Sequence, residues 1–183
     1  MQPAHQKFYA PINFLLGEPL KQTMRILYAS ILVFGASFMV FAGSTWSVGK
    51  ADIQGRPVIY KFIDATPPAS TRQTLPWLTI ISWKYDDSEN NGMPSSETNR
   101  KMIELEDTLE KLSDNNNAYL EVYSATGNNI KEFAFYIADR KTFMANLNEV
   151  LRNRPSYPID ITFYEDGDWS DLAKLHHNFG LAR

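Results

Sequence analysis

Three acidic residues whose spacing could support acid–base chemistry, Glu104, Glu106 and Asp107, lie close together in the sequence. Paired carboxylates can act as general acid and base, or can bind a metal ion. On a helix, Glu104 and Asp107 share a face because they are three residues apart, whereas Glu106 points elsewhere. A hydrolytic site needs further carboxylates from another segment, and Asp166 or Asp168 could supply them. We favour the simpler interpretation that the helix acids are solvated beside neighbouring lysines.

Other patterns that carry metal or nucleophile chemistry are incomplete in this chain. The stretch Asp87–Gly92 resembles the opening of a calcium loop, but the twelfth position, which should be a bidentate Glu, is Thr98. We therefore favour a polar turn in which Asn-Gly adopts positive φ before a helix. His176 and His177 are adjacent, so on a helix they diverge by about 100° and form no zinc pair. With no Cys, nucleophile elbow or Gly-rich phosphate loop, the sequence predicts no catalytic residue, metal or cofactor.

A partner-binding surface is predicted on one strand. Tyr119, Glu121 and Tyr123 alternate with Leu120 and Val122, so the two sets face opposite sides of a strand. If helices cover Leu120 and Val122, the Tyr-Glu-Tyr face is free for a partner. The competing interpretation is an ordinary sheet surface, which has a similar composition.

Hydrophobic periodicity and turn residues predict the elements that position these groups. Predicted strands and hairpins are Thr45–Ile53 with Arg56–Asp64, Trp77–Tyr85, Ala118–Ala125 with Ile130–Ala138, and Tyr157–Tyr164. Predicted helices are Ser95–Leu112, Arg140–Leu151 with Asp139 as cap, and Trp169–Asn178. The segment Ala65–Pro76 is predicted to be a loop.

The order of these elements predicts the fold class. From Trp77 onward it is strand, helix, strand, strand, helix, strand, the split β-α-β pattern of ferredoxin-like folds. We therefore expect an α+β domain with an antiparallel sheet, both long helices on one face and Trp77–Tyr85 in the interior. The hairpin Thr45–Asp64 is an addition, and the sequence leaves open which edge it extends.

The segment Ile26–Gly43 has no charged residue and is long enough to cross the ~30 Å hydrocarbon core. It is either a transmembrane helix in a chain that starts at Met1, or a signal peptide cleaved after Ala42 in a chain that starts at Met1 or at Met24. A buried core helix is disfavoured because the segment has no polar stripe.

The domain organisation and location follow from this segment. We expect an N-terminal extension over residues 1–23, a transmembrane or signal helix over 24–43 and a single domain over 44–183. Both the transmembrane and the signal-peptide interpretation place the domain in the cell envelope. It is either anchored in the inner membrane or released as a secreted or periplasmic protein.

The charge of the domain limits its partners. Residues 44–183 carry 15 basic and 20 acidic side chains, a net charge of −5. Nucleic acid and anionic lipid both require clustered cations, so we expect neither as a partner. Membrane contact is expected through the N-terminal hydrophobic segment only, and the expected partner is a protein.

Several short motifs occur in a fixed order: Pro76-Trp77, Asn91-Gly92-Met93-Pro94, Glu97, Glu104-x-Glu106-Asp107-x-Leu109, Phe135-x-x-Ala138 and Asp166-x-Asp168-Trp169. Together they resemble the bacterial family called domain of unknown function 695, over the region 44–178. The candidate motif residues are Asn91, Gly92, Pro94, Glu97, Glu104, Asp107, Asp168 and Trp169. The resemblance implies no catalytic residue. Some relatives resemble, or are joined to, the regulator of ribonuclease E activity B, an acidic enzyme-binding protein, so the resemblance is compatible with protein binding.

We therefore expect a non-enzymatic, envelope-exposed protein-binding module, with an inhibitor-like or immunity-like role as one version. A carboxylate-based hydrolase using Glu104 or Asp107 with Asp166 or Asp168 is the first alternative. A ligand-binding domain that uses exposed aromatic side chains is the second.

Overall fold

The computed structural model describes residues 46–87, 90–113 and 118–181. These residues form six strands and four helices, which confirms the predicted α+β class. In chain order the elements are β1 (Trp46–Ile53), β2 (Arg56–Ile63), α1 (Ala69–Thr74), β3 (Trp77–Lys84), α2 (Ser96–Ser113), β4 (Tyr119–Gly127), β5 (Ile130–Ile137), α3 (Arg140–Leu151), β6 (Ile159–Glu165) and α4 (Ser170–Asn178).

The strands form one antiparallel sheet in the order β1-β2-β4-β5-β3-β6. β3 lies between β5 and β6, so the predicted interior position of this strand is confirmed. The β1–β2 hairpin joins the sheet through β4, where Phe62 lies opposite Tyr123. This places the added hairpin at the β4 edge, and β1 and β6 become the outer strands of the described sheet.

Alternating side chains of the interior strands enter two separate apolar cores. On β5, Phe133, Phe135 and Ile137 pack with residues of α2 and α3, whereas Ala134 and Tyr136 pack with residues of α4. We call these two sides of the sheet the α2 face and the α4 face. Because both faces are covered, the interior strands are apolar over most of their length. Each large side chain buried in this way stabilises the fold by roughly 1.5–3 kcal/mol.

Side-chain caps begin both long helices where the sequence predicts them. Ser95 Oγ accepts a hydrogen bond from Thr98 N (3.2 Å), and Ser95 N donates to Asp87 Oδ2 (2.7 Å). Asp139 Oδ1 accepts from Thr142 N (2.7 Å) at the start of α3. These bonds satisfy amides that the first turn of a helix leaves without intrahelical partners.

The predicted loop between β2 and β3 contains the short helix α1, so this part of the prediction is wrong. The helix has six residues, fewer than two turns, which is too short for hydrophobic periodicity to be visible. None of its own residues is buried, but Leu75 directly after it enters the α4-face core.

The predicted N-terminal extension and the apolar segment Ile26–Gly43 lie outside the described residues. Within residues 46–87, 90–113 and 118–181, no helix combines the length and the apolar character needed to cross a bilayer. The transmembrane and signal interpretations of Ile26–Gly43 stay predictions.

We predict that Leu105→Ala lowers the free energy of unfolding of the full chain by about 2–5 kcal/mol, because Leu105 is fully buried in the α2-face core. Ile103→Ala is the control, since Ile103 lies on the same helix but is half exposed, and it should cost less than about 1 kcal/mol. Urea unfolding followed by circular dichroism measures both values. Equal losses for the two variants would contradict this assignment of the buried face of α2.

Candidate functional site

A group of charged side chains lies on the α2 face, between α2 and the strands β2, β4 and β5. The two oxygens of Glu106 bind two different lysines: Lys61 Nζ lies 3.3 Å from Oε1 and Lys131 Nζ lies 3.1 Å from Oε2. Lys131 Nζ also donates to Ser124 Oγ (3.3 Å). Together with Glu121, these residues form what we call the charge cluster.

The strand register brings the cluster together from distant parts of the chain. Lys61 of β2 lies directly opposite Ser124 of β4, and Ser124 lies opposite Phe133 of β5. Lys131 is two residues before Phe133, so both side chains point to the α2 face. Glu106 then reaches these strands from the helix above them.

The cluster extends from the core to the solvent. The side chain of Lys131 is 9% exposed, that of Glu106 18% and that of Lys61 43%. Aromatic rings lie beside both cations: Lys131 Nζ is 4.7 Å from the centre of the Phe133 ring, and Lys61 Nζ is 5.3 Å from that of Trp46. Contacts of this kind stabilise an ammonium group that has lost part of its hydration.

The two carboxyl groups of the cluster differ in their proton affinity. Burial raises the pKa of Glu121 to about 7, and the negative charge of Glu106 adds to this effect, while Lys61 and Lys131 oppose it. Burial acts in the same direction on Glu106, but the ammonium groups of Lys131 and Lys61 outweigh it and hold the pKa of Glu106 below its usual value. The cluster therefore contains an ionised carboxylate beside a carboxyl group that exchanges a proton near neutral pH.

Glu121 has an unusual buried oxygen. Its Oε1 atom is inaccessible to solvent and has no hydrogen-bond partner among the described residues. A buried carboxylate oxygen without a donor favours the neutral form of the group. Lys61 and Lys131 are both bonded to Glu106 instead.

The predicted Tyr119-Glu121-Tyr123 surface does not form. A β-bulge between Glu121 and Tyr123 shifts the register of β4 and reverses the direction of the following side chain. Tyr119 is buried on the α2 face, where its ring packs edge-on against Phe143 of α3. Tyr123 is buried on the α4 face and donates a hydrogen bond to Asp171 (2.8 Å). The expected exposed face shared by these three residues is therefore wrong.

The Asn-Gly-x-Pro motif forms the predicted turn. Asn91 and Gly92 have φ values of 54° and 78°, as a polar turn before a helix requires. The Gly92 carbonyl accepts a hydrogen bond from Asn129 N (2.9 Å) in the β4–β5 turn, and a Cβ atom at Gly92 would lie 3.0 Å from Asn128 Cα. The Pro94 carbonyl accepts from Asn90 Nδ2 (3.3 Å). This motif therefore connects the start of α2 to the β4–β5 turn.

Three of the acids on α2, Glu97, Glu104 and Asp107, lie on its solvent side, whereas Glu106 faces the sheet. Glu97 pairs with Lys101 (2.8 Å) and Glu104 pairs with Arg100 (3.1 Å), each one helical turn away. Asp107 is also exposed. These contacts agree with the interpretation that Glu104 and Asp107 are solvated, and exposed pairs of this type contribute little to stability. For Glu106 that interpretation is wrong, because its side chain is only 18% exposed and is bonded to Lys61 and Lys131.

The Asp-x-Asp-Trp motif attaches α4 to the sheet. Asp166 Oδ2 accepts a short hydrogen bond from Tyr136 Oη (2.6 Å) and Oδ1 accepts from Ser170 N (2.9 Å). Burial alone would raise the pKa of Asp166, but these donors hold it below its usual value. The buried Trp169 ring stacks on Tyr136 with centroids 3.8 Å apart, and its Nε1 donates to the Leu75 carbonyl (3.2 Å).

The sheet separates the carboxylates that the hydrolase alternative combined. Glu104 and Asp107 lie on α2, whereas Asp166 is bonded to Tyr136 on the α4 face. Asp168 is exposed in the turn between Asp166 and Trp169. Asp166 therefore does not share a face of the sheet with the acids of α2. The hydrolase alternative as a whole stays a prediction.

The model described as "Family of unknown function (DUF695)" matches residues 44–174. The chain belongs to this family. The match extends from just before β1 into α4, and it includes the charge cluster and both motifs described above. No curated protein and no solved structure matches the chain. Because the function of DUF695 is unknown, membership assigns no reaction to these residues.

Neither lysine of the cluster is predicted from the sequence of this DUF695 domain. Lys131 shares an alternating face with Phe133, Phe135 and Ile137, which are all buried. A cation within such an apolar alternation is the signal that could have identified a buried charge. Helical spacing predicts that Glu106 points away from Glu104 and Asp107, and that direction is the one that leads to the lysines.

We predict that Asp166→Ala destabilises the DUF695 domain by about 1–3 kcal/mol, because it leaves the buried Tyr136 hydroxyl and the first amides of α4 without an acceptor. Since the pKa of Asp166 is lowered by folding, its contribution is present above the ordinary Asp pKa of about 4 and is lost as the pH falls below that value. The difference between wild type and variant should therefore shrink in acid.

Chemical unfolding at several pH values measures this difference. Asp168→Ala, in the same motif but exposed, is the control and should change stability by less than about 0.5 kcal/mol. Equal effects of the two substitutions would show that Asp166 does not hold α4.

Proposed function

We propose that this DUF695 domain is a non-enzymatic protein-binding module. The proposed docking site is the hairpin–helix surface, which we define by Trp46 and Val48 of β1, Lys61 of β2, and Ile103 and Glu106 of α2. The observation that carries the proposal is the exposure of two aliphatic side chains on either side of the Lys61–Glu106 ion pair.

The described residues expose few large apolar side chains. Val48 is 50% exposed, Ile103 49% and Tyr164 36%. Val48 lies directly across from Lys61 in the β1–β2 register. Ile103 is three residues before Glu106 and therefore lies beside it on α2. Two of the three exposed apolar groups thus flank one ion pair, whereas single scattered apolar residues on a surface require no explanation.

The composition of this surface favours a protein as the occupant. Aromatic side chains are enriched at interface centres, and partly exposed charged groups are typical of the surrounding rim. The ammonium group of Lys61 is bonded to one Glu106 oxygen, and the side chain remains 43% exposed, so Lys61 can also bind a carboxylate of the partner. Nucleic acid and anionic lipid present dense negative charge, which a domain of net charge −5 repels. The proposed partner therefore combines apolar side chains with a carboxylate placed at Lys61.

The family motifs support binding rather than catalysis as the proposal. The polar groups of Asp166, Trp169 and Gly92 are bonded within the fold, where they attach α4 and the loop before α2. Their positions are thus explained by folding, without a substrate.

We also propose that the domain has a ferredoxin-like fold. We assign β3, α2, β4, β5, α3 and β6 to a split β-α-β unit, to which the β1–β2 hairpin is added. The strand order β4-β5-β3-β6 and the common core of α2 and α3 support this assignment.

Site-specific photo-crosslinking tests the proposed surface. We predict that a photoreactive amino acid in place of Val48 or Ile103 captures the same protein in the cells that produce the chain. The control position is Tyr164, which is also an exposed apolar group but lies on β6, at the opposite edge of the sheet. Capture of the same protein from all three positions, or from none, would contradict the proposal.

Charge reversal provides a second measurement of the same surface. Lys61→Glu should reduce the crosslink from position 103 by about tenfold or more, because it places two carboxylates against each other and repels that of the partner. Lys84→Glu is the matched control, since Lys84 also pairs with one carboxylate, that of Asp160, but lies on β3. An equal loss in both variants would indicate a nonspecific charge effect.

We also propose that the module faces the outside of the cytoplasmic membrane, attached or exported by Ile26–Gly43. Cell fractionation combined with N-terminal sequencing tests this location. An anchor predicts a membrane-bound chain that retains the segment, and a signal peptide predicts a soluble chain that begins at Gly43. Recovery of an uncleaved chain in the cytoplasmic fraction would exclude both.

A further inference from the structure

We propose that Glu121 is the proton-binding residue of the charge cluster and that its protonation controls how firmly Lys61 is held inside the domain. Because Lys61 is part of the hairpin–helix surface, the proton on Glu121 then regulates that surface. The second statement rests on the proposed function, whereas the first concerns the free domain alone.

The charged groups that act on Glu121 come from three elements on the α2 face, namely β2, β5 and α2. Lys61 belongs to β2, Lys131 to β5, and Glu106 and Glu110 to α2. Glu106 bonds to both lysines, whereas Glu121 Oε1 is buried and has no donor among the described residues. Glu121 is therefore the carboxyl group of this cluster for which ionisation is least compensated.

Loss of the proton changes the charge balance of the cluster. With Glu121 neutral, Lys61 and Lys131 face the single carboxylate of Glu106, and the three groups together carry one net positive charge. With Glu121 ionised, two carboxylates face two ammonium groups and the net charge is zero. The exposed Glu110 contributes less, because water screens it.

Lys61 is the group that can respond to this change. Lys131 is almost completely buried and is fixed by both Glu106 and Ser124. Lys61 is 43% exposed and has Glu106 as its carboxylate contact. Ionised Glu121 attracts this ammonium toward β4 and away from the solvent. The hairpin–helix surface therefore presents a more available cation when Glu121 is protonated.

Burial raises the pKa of Glu121 to about 7, so this side chain gains or loses its proton near neutral pH. The native state then binds this proton more tightly than the unfolded state, in which the group has its usual pKa. Its effect on stability is fully favourable below the unfolded pKa and declines as the pH rises toward 7. This dependence is opposite in sign to that of Asp166, and the two are separable by pH.

A titration of the free full-length chain tests the first statement. Carboxyl carbons of Glu and side-chain resonances of Lys are followed by NMR from about pH 4 to about pH 9. We expect one Glu resonance with a midpoint near 7 that is absent from Glu121→Gln, and a change at Lys61 with the same midpoint. Lys84 is the internal control and should not follow it. A Glu121 midpoint near the ordinary value of about 4.3, or a Lys61 resonance that ignores this midpoint, would overturn the inference.

Glu121→Gln also separates proton binding from simple packing. It keeps the shape of the side chain and should reduce the decline in stability between about pH 5 and about pH 7. The contribution of Glu132, whose pKa is also raised by burial and by Asp171, should remain. Glu104→Gln is the control, because Glu104 is an exposed acid on α2, and it should leave the decline unchanged. A decline as large in Glu121→Gln as in the wild type would assign it to Glu132 or another group and overturn the proposal.

The crosslink from position 103 tests the second statement. Its yield should fall about threefold or more between pH 6 and pH 8 in the wild type, and it should be independent of pH in Glu121→Gln. A crosslink that is present at every pH without this change overturns the regulation but leaves the proposed function intact. Absence of any crosslink contradicts the proposed function, while the NMR titration still decides whether Glu121 binds the proton and moves Lys61.

Discussion

Stacking of Trp169 on Tyr136 is the contact on which the α4 face of the sheet depends. The rings are almost parallel, with an interplanar angle of 5°, and they fix the start of α4 against the centre of the sheet. At the other end of the helix, Phe179 stacks on Phe62 of β2. A side chain at Gly49 would collide with the Phe179 ring, so β1 can lie under α4 only with glycine there. One aromatic contact thus positions a helix whose far end covers the added hairpin.

The hairpin is covered much less on its other side. On the α2 face, the described polar link from α2 to β2 is the ion pair between Glu106 and Lys61. Val48 on the neighbouring strand remains exposed on this face. The α4 face therefore holds the hairpin in place, and this leaves the α2 side of the same strands available for contact with another molecule. If both faces of the added hairpin were covered, the hairpin would contribute only to the core.

Local patterns in the sequence predict most of the helices and strands, because the apolar residues that form each pattern are also the residues that pack in the core. Met102, Leu105 and Leu109 recur at helical spacing and are all buried. The bulge after Glu121 has no such local signal, since one extra residue in a strand depends on pairing with strands far away in the chain. For this reason the alternation of Tyr119 and Tyr123 predicted a common face that does not exist. The charge cluster is also non-local: Lys131 carries a recognisable signal, but its partner depends on how α2 crosses the sheet.

The geometry of the charge cluster affects both the position of α2 on the sheet and the proton affinity of Glu121. Burying ions is costly, and an apolar contact of similar volume is often at least as stable. An apolar contact, however, tolerates several positions of a helix over a sheet, whereas Glu106 meets Lys61 and Lys131 together at one position only. Both ammonium groups are directed at Glu106 when that position is reached, and none remains for Glu121. The arrangement that fixes α2 on the sheet therefore also leaves Glu121 Oε1 without a donor among the described residues, in the buried environment that raises its pKa.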